Sequence, residues 1–240
     1  MKLLIGRSDK DFAEIGAQYI AKFIRENPQS LLCLAAGDTP LGMYKRLVEL
    51  QHQGEVDLNS VYYVGLDEWV GIGYEIKGSC MQVMMDGFYG PAQIRPENMR
   101  VFNGLAENME EECAQVEQWV ADHGGIGMTL LGIGMNGHVG FNEPYTDPQK
   151  SIVLHDLDNV TEQVGKKYFD GKNCPTQGVT IGIRLLSGAK QVCLVASGAK
   201  KAPILRKSLM EDPTVAVPAS LMQLHEQLTV IMDQEAFRAL

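Results

Sequence analysis

The 240-residue sequence predicts an α/β protein built as a three-layer, Rossmann-like, mostly parallel sheet with helices on both faces. Two observations carry this. Short apolar runs of strand length alternate with longer amphipathic runs, the pattern of parallel strands joined by helices. Turn residues or charges bound the short runs, as expected for buried strands. A composition of 45% hydrophobic and 21% charged residues, with no repeat, low-complexity tract or linker, fits a single domain over 1–240 with a sizeable core.

In chain order, the apolar runs at 3–5, 31–35, 61–66, 128–133, 192–196 and 228–232 read as strands. Between the first two, Phe12, Ile15, Ile20 and Phe23 recur at helical spacing. After the second come Leu41, Tyr44, Leu47 and Val48, and residues 109–120 form a third helical pattern with a Glu-rich exposed face. The stretch 71–100 is rich in Gly, Met and Pro, and 144–176 is polar with weak periodicity. Both are expected to leave the sheet and cover a site.

The formal net charge of −9, with no run of Lys and Arg, argues against a nucleic-acid partner, although two or three local cations suffice for a small phosphorylated ligand. Five cysteines, Cys33, Cys80, Cys113, Cys174 and Cys193, are scattered without a C-x-x-C pair, so neither a disulfide framework nor a zinc site is indicated. They look like thiols of a reducing compartment. The opening MKLLIG is too short an apolar run for a signal peptide, and no later run approaches a membrane span. A cytoplasmic protein without a membrane partner is expected.

Ligands of open α/β sheets bind beyond the carboxyl ends of the strands. Three strand ends carry chemistry. Ala36-Gly37-Asp38-Thr39-Pro40 follows the second strand, with Thr39 expected as a helix N-cap and Pro40 as the first helical residue. Free N–H groups there would suit an anion, with Gly37 allowing close approach; an ordinary capped helix is the plainer explanation. At Leu66-Asp67-Glu68-Trp69, adjacent carboxylates on a strand point to opposite faces, so at most one faces a site. That one could be a general base, or merely a cap or ion-pair partner. Residues 132–144, GIGMNGHVGFNEP, place four glycines in nine residues after a strand, the mark of unusual backbone angles or close contact with a ligand. Within them His138 can exchange a proton near neutral pH, with Asn136 or Glu143 fixing its tautomer. Lys201 opens another helix after a strand and Lys167 lies in the polar stretch, each an anion ligand or a solvated lysine. His52, His123, His155 and His225 are expected to be structural or exposed.

These segments resemble the glucosamine-6-phosphate deaminases, a family that shares its fold with the 6-phosphogluconolactonases, and the resemblance covers nearly the whole chain. Residues 37–40 are similar to the family's phosphate loop, 66–69 to its general-base segment and 132–138 to its catalytic loop. Phe141-Asn142-Glu143-Pro144 is the deaminase form of the continuation, which differs in lactonases. Trp69, where typical members carry tyrosine, resembles the branch acting on galactosamine 6-phosphate. Lys150-Ser151-Ile152 stands where typical members have Ser-Arg-Thr, and Lys167 where they have a phosphate-binding arginine, which retains charge without bidentate geometry.

The resemblance implies that a hexosamine 6-phosphate is isomerised and deaminated to a ketohexose 6-phosphate and ammonia. His138, oriented by Glu143 and Asn136, would open the pyranose. Asp67 would carry a proton from C2 to C1 through an enol-type intermediate. Gly37, Asp38, Thr39, Lys201 and, more weakly, Lys167 would hold the phosphate. No metal or other cofactor is expected. The family includes monomers and hexamers, so a homo-oligomer is compatible with the sequence. The rival expectations are a 6-phosphogluconolactonase-like hydrolase, a sugar-phosphate sensor, for which the first strand at the N-terminus leaves no DNA-binding segment, and a non-catalytic sugar-phosphate-binding paralogue.

Overall fold

The computed structural model describes residues 1–169, 175–238 and 240. Its strands are β1 (Lys2–Gly6), β2 (Leu31–Leu34), β3 (Tyr62–Gly65), β4 (Asp67–Trp69), β5 (Met99–Arg100), β6 (Ile126–Gly132), β7 (Ile152–Asp156), β8 (Gln177–Ile181), β9 (Gln191–Ala196) and β10 (Leu228–Asp233). The helices are α1 (Asp9–Glu26), α2 (Asp38–His52), α3 (Cys80–Met84), α4 (Met109–Asp122), α5 (Asn159–Gly165), α6 (Ile183–Ser187), α7 (Ala202–Met210) and α8 (Gln234–Phe237).

Seven strands form one parallel sheet in the order β1-β10-β9-β6-β2-β3-β5. Both faces are covered, which explains why the central strands are apolar throughout rather than alternating. Along β2, Leu31 and Cys33 enter a core shared with α4, α6 and α7, while Leu32 and Leu34 enter a second core built on α1 and α2. This is the expected three-layer α/β arrangement. No helix among the described residues is long and apolar enough to cross a membrane.

Three details depart from the sequence expectation. The run 61–66 is not one strand continuing into the carboxylates: β3 ends at Gly65, and residues 67–69 cross into a separate antiparallel sheet, β4-β8-β7. Thr39 is not the N-cap and Pro40 not the first helical residue, because Gly37, at φ 115°, turns the chain earlier and takes the cap position. Pro40 is accommodated within the first turn, where its missing N–H costs no intrahelical bond. The stretches 71–100 and 144–176 are more ordered than their composition implies: the first contains α3, a π-helical turn at Met85–Tyr89 and β5, the second β7 and α5. Cys33 and Cys193 are buried free thiols, Cys80 and Cys113 half-buried ones, and Cys174 lies outside the described residues.

The chain leaves β2 toward β3 on one side, and β6 lies on the other side of β2 and leads to β9. The carboxyl ends of β2 and β6 therefore form the topological switch point, where an open α/β sheet leaves a crevice.

Candidate active site

A cleft of about 320 Å³ occupies that crevice. Gly37, Asp38 and Thr39 line it from β2, Asp67 from β4, His138 from the loop after β6, and Lys167 and Lys201 from the far wall. Asn136 and Glu143 stand behind His138 and bond to it or to each other. The three strand-end segments and the two lysines singled out in the sequence thus meet at one place. The two excursions supply its remaining wall, through Gly78, Cys80 and Val83 on one side and Val160, Thr161, Val164 and Tyr168 on the other.

The candidate anion cradle is the start of α2. No side chain caps the helix, so its first N–H groups remain available, and they carry the positive end of the helix dipole. Asp38, an acidic residue at this position, is turned aside: its Oδ2 accepts from Lys167 Nζ at 2.8 Å. Both partners are at least half exposed, so this pair contributes little stability of its own. Lys167 also lies over the Tyr168 ring, 4.5 Å from its centroid. Lys201 Nζ donates to the Ile133 carbonyl, and burial, with the Lys167 charge, lowers its basicity. A second cation is thereby anchored at the carboxyl end of β6.

The neighbours Asp67 and Glu68 point oppositely, as strand geometry requires. Glu68 is only 2% exposed. Its Oε1 accepts from the N–H groups of Trp69 and Cys80, both at 2.9 Å, and its Oε2 from Ser79 Oγ at 2.7 Å and Met81 N–H at 2.9 Å. It is a structural clamp. Asp67 faces the cleft with far fewer partners. Burial pushes its carboxyl up, a hydrogen bond from Cys80 holds it back, and the Glu68 charge pushes it further, to about 7. A carboxylate so placed exchanges protons at neutral pH.

The glycine loop shapes the histidine. A β-carbon on Gly134 would lie 2.2 Å from the His138 ring, so only glycine lets the imidazole fold back over the strand end. Gly137 adopts φ 89°, reserved in practice for glycine. His138 Nδ1 lies 3.2 Å from Glu143 Oε2 and 3.0 Å from Thr161 Oγ1. Asn136 does not touch the ring; its amide donates to Glu143 Oε2 at 2.7 Å and its Oδ1 accepts from the His138 N–H at 3.2 Å. Burial would raise Glu143, but the bonds and charge of His138, then Thr161 and Asn136, more than reverse this and hold its carboxyl below the ordinary range. An ionised Glu143 fixes the Nδ1–H tautomer, which leaves Nε2 as the nitrogen able to exchange a proton.

Phe141-Asn142-Glu143 divides the remaining work. Phe141 packs edge-on to Trp69 at 4.7 Å, and Trp69 in turn to Phe169 at 5.3 Å, forming an aromatic wall. Asn142 is buried and donates to the carbonyls of Val139 and Ile181, pinning the loop to β8. His155 Nε2 contacts the Phe141 carbonyl at 2.6 Å, His123 and His225 contact the carbonyls of Trp119 and Ala189, and His52 is exposed. Residues 150–152 lie at the start of β7, where Arg184 bonds Ser151, and none of them is among the described residues lining the cleft.

Sequence reasoning missed Thr161, Cys80 and Tyr168. Nothing local marks them: Thr161 is 23 residues from His138, and Cys80 lines the cleft in a turn whose N–H groups are clamped by Glu68. The single legible hint was the expectation that both excursions cover a site.

An α/β fold that gathers proton-transfer groups and an anion cradle at its switch point is that of an acid–base enzyme for a small anionic substrate. Comparison with known proteins narrows the class. The family described as glucosamine-6-phosphate isomerases/6-phosphogluconolactonase matches residues 9–231. The chain belongs to that family. Among similar proteins, the glucosamine-6-phosphate deaminase of Lachnoclostridium phytofermentans is 38% identical, covering 96% of this chain and 98% of its own. That of Clostridium perfringens (strain 13 / Type A) is 34% identical over the full length of both. The solved structure of a monomeric glucosamine-6-phosphate deaminase superposes with a TM-score of 0.96 at 33% identity, covering all of both chains. The 6-phosphogluconolactonase of Trypanosoma brucei, at 16% identity and a TM-score of 0.78 over 100% of this chain and 98% of its own, shares the fold.

Proposed function

We propose that this chain isomerises and deaminates a hexosamine 6-phosphate, giving a ketohexose 6-phosphate and ammonia. The observation that carries this reading is the joint presence in one cleft of Asp67, held near neutrality, and the His138–Glu143 pair beside the α2 cradle. The phosphate sits on the N–H groups of Asp38 and Thr39, the Thr39 hydroxyl and Lys201, with Gly37 permitting close approach. Lys167 joins when the phosphate draws it from Asp38.

His138 moves a proton between the C1 hydroxyl and the ring oxygen, which opens the pyranose to the aldehyde. Asp67 then takes the C2 proton and returns it to C1 through an enol-type intermediate; as the C1 oxygen gains a proton and the amino nitrogen gives one up, the nitrogen is left doubly bonded to C2. Water adds at C2, a proton passes to nitrogen, and ammonia leaves as the ketone forms. One water is consumed for each ammonia released. Asp67 must lie within about 3 Å of both carbons, which a residue at a strand end above an anchored phosphate can satisfy. The chain works as one domain in the cytoplasm, a setting supported by its free thiols.

Ammonia release is the test, with glucosamine 6-phosphate, galactosamine 6-phosphate and 6-phosphogluconolactone assayed side by side. Release from either amino sugar is expected. Hydrolysis of the lactone with no ammonia from either sugar would replace this reading with a lactonase.

A further inference from the structure

Helix α5 reverses the usual ordering of polar and apolar side chains. Val160 and Val164, which line the cleft, are each 41% exposed, whereas Thr161, on the same helix and also lining the cleft, is only 4% exposed. A buried hydroxyl is costly unless it is bonded, and Thr161 Oγ1 lies 3.0 Å from His138 Nδ1. The helix is anchored just before this residue. Asp158 caps it by accepting from the Val160 N–H at 2.8 Å, and Leu157 packs with Trp69, Phe141 and Phe169. The hydroxyl is thereby held against the histidine from the start of the helix.

The distances around Nδ1 show what the hydroxyl adds. A charge-assisted N–H···O bond to a carboxylate is normally about 2.7–2.9 Å long. Glu143 Oε2 stands 3.2 Å from Nδ1 and already accepts from the Asn136 amide at 2.7 Å. Its charge fixes where the ring proton sits, but it holds the ring loosely. Thr161 is the nearer partner, and with the proton on Nδ1 its hydroxyl oxygen is the acceptor. We propose that Thr161 is a positioning residue for pyranose opening, sharing the Nδ1 proton of His138 with Glu143 and so holding the ring in the orientation that leaves Nε2 free for the transfer. This role rests on His138 being the group that opens the pyranose, and a measurement without substrate keeps the two separable.

The first arm measures kcat and KM for ammonia release in the wild type, Thr161→Val and Thr161→Ser. Thr161→Val keeps the shape and removes the hydroxyl, so kcat should fall about fivefold, the worth of one hydrogen bond, with KM within about twofold of wild type. Thr161→Ser keeps the hydroxyl and should recover most of that loss. Wild-type kcat in Thr161→Val, or an equal loss in both variants, would overturn the proposal. The second arm needs no substrate: nitrogen-15 NMR of histidine-labelled protein at pH 8, with the His138 signal identified by its disappearance in His138→Gln. The wild-type ring should carry its proton on Nδ1, and Thr161→Val should move the ratio of the two tautomers about fivefold toward the Nε2–H form, while Thr161→Ser keeps the wild-type ratio. An unchanged ratio in Thr161→Val would overturn the proposal, as would a wild-type ring with its proton on Nε2, a result that requires neither Thr161 variant to fold. If the wild type released no ammonia from any hexosamine 6-phosphate, the functional reading would fall while the NMR arm still decided whether Thr161 shares the Nδ1 proton.

Discussion

With its carboxyl at about 7, Asp67 is shared between acid and base forms at neutral pH, the condition under which one group can both accept the C2 proton and return it at C1. The ionised form is required first. The acid limb of kcat/KM for ammonia release should therefore lie near pH 7, well above an unperturbed aspartate, and a limb near pH 4 would remove Asp67 from the base role. Asp67→Asn should lower kcat by about a thousandfold while leaving the affinity for substrate close to wild type, measurable by calorimetry. In the proposed mechanism Glu143 acts on the other proton, through His138. Glu143→Gln removes the charge that fixes the His138 tautomer, so kcat should fall by about a hundredfold, with a smaller change in KM. Asp67, His138 and Glu143 were readable from residue type and position after a strand. Thr161 was not, since it meets His138 only through tertiary folding.

At the scale of elements, the candidate catalytic groups stand on strand ends held by buried polar clamps. Glu68 satisfies four donors from Trp69, Ser79, Cys80 and Met81. Glu68→Ala would leave them unpaired in a buried place, and urea denaturation should show a loss of about 3 kcal/mol. Gly134→Ala tests the loop, because the added methyl must displace the His138 ring. Activity should fall at least tenfold with a stability loss of about 1–3 kcal/mol, whereas full activity would show that the ring position is unimportant. The six long sheet strands were legible because burial on both faces makes them continuous apolar runs. β4 was hidden because residues 67–69 follow the run 61–66 with no turn residue between, and the change of sheet at Leu66 is set by their pairing with β8. β7 and β8 were hidden because residues such as His155 and Thr180 spend their polar groups on the loop carbonyls and N–H of 139–142, not on a periodic surface.

In the whole molecule, the parallel order places β2 and β6 side by side at the switch point, so segments 100 residues apart meet at one cleft. The sequence pattern conveyed that architecture, and with it the side of the sheet on which to look. It did not convey the second sheet, whose strand β4 brings Asp67 and Trp69 to the cleft. The charge placement has a stability signature as well. Asp67 binds its proton more tightly in the folded than in the unfolded state, so its contribution is most favourable below about pH 4 and is lost as pH rises to about 7. Glu143 has the opposite sign: its contribution is present above the ordinary carboxyl range and lost as pH falls below it. Asp67→Asn should thus gain stability over the wild type between pH 5 and 8 in denaturant titrations, even as it loses activity. An unchanged difference across that range would show that Asp67 is not desolvated. The central claim, that Asp67 drives deamination in this cleft, is tested most directly by measuring ammonia from glucosamine 6-phosphate and galactosamine 6-phosphate with the wild type and Asp67→Asn at pH 8. Rapid release by the wild type from at least one sugar, and about a thousandfold less by the variant, is expected. No release by the wild type, or equal release by both, would contradict it.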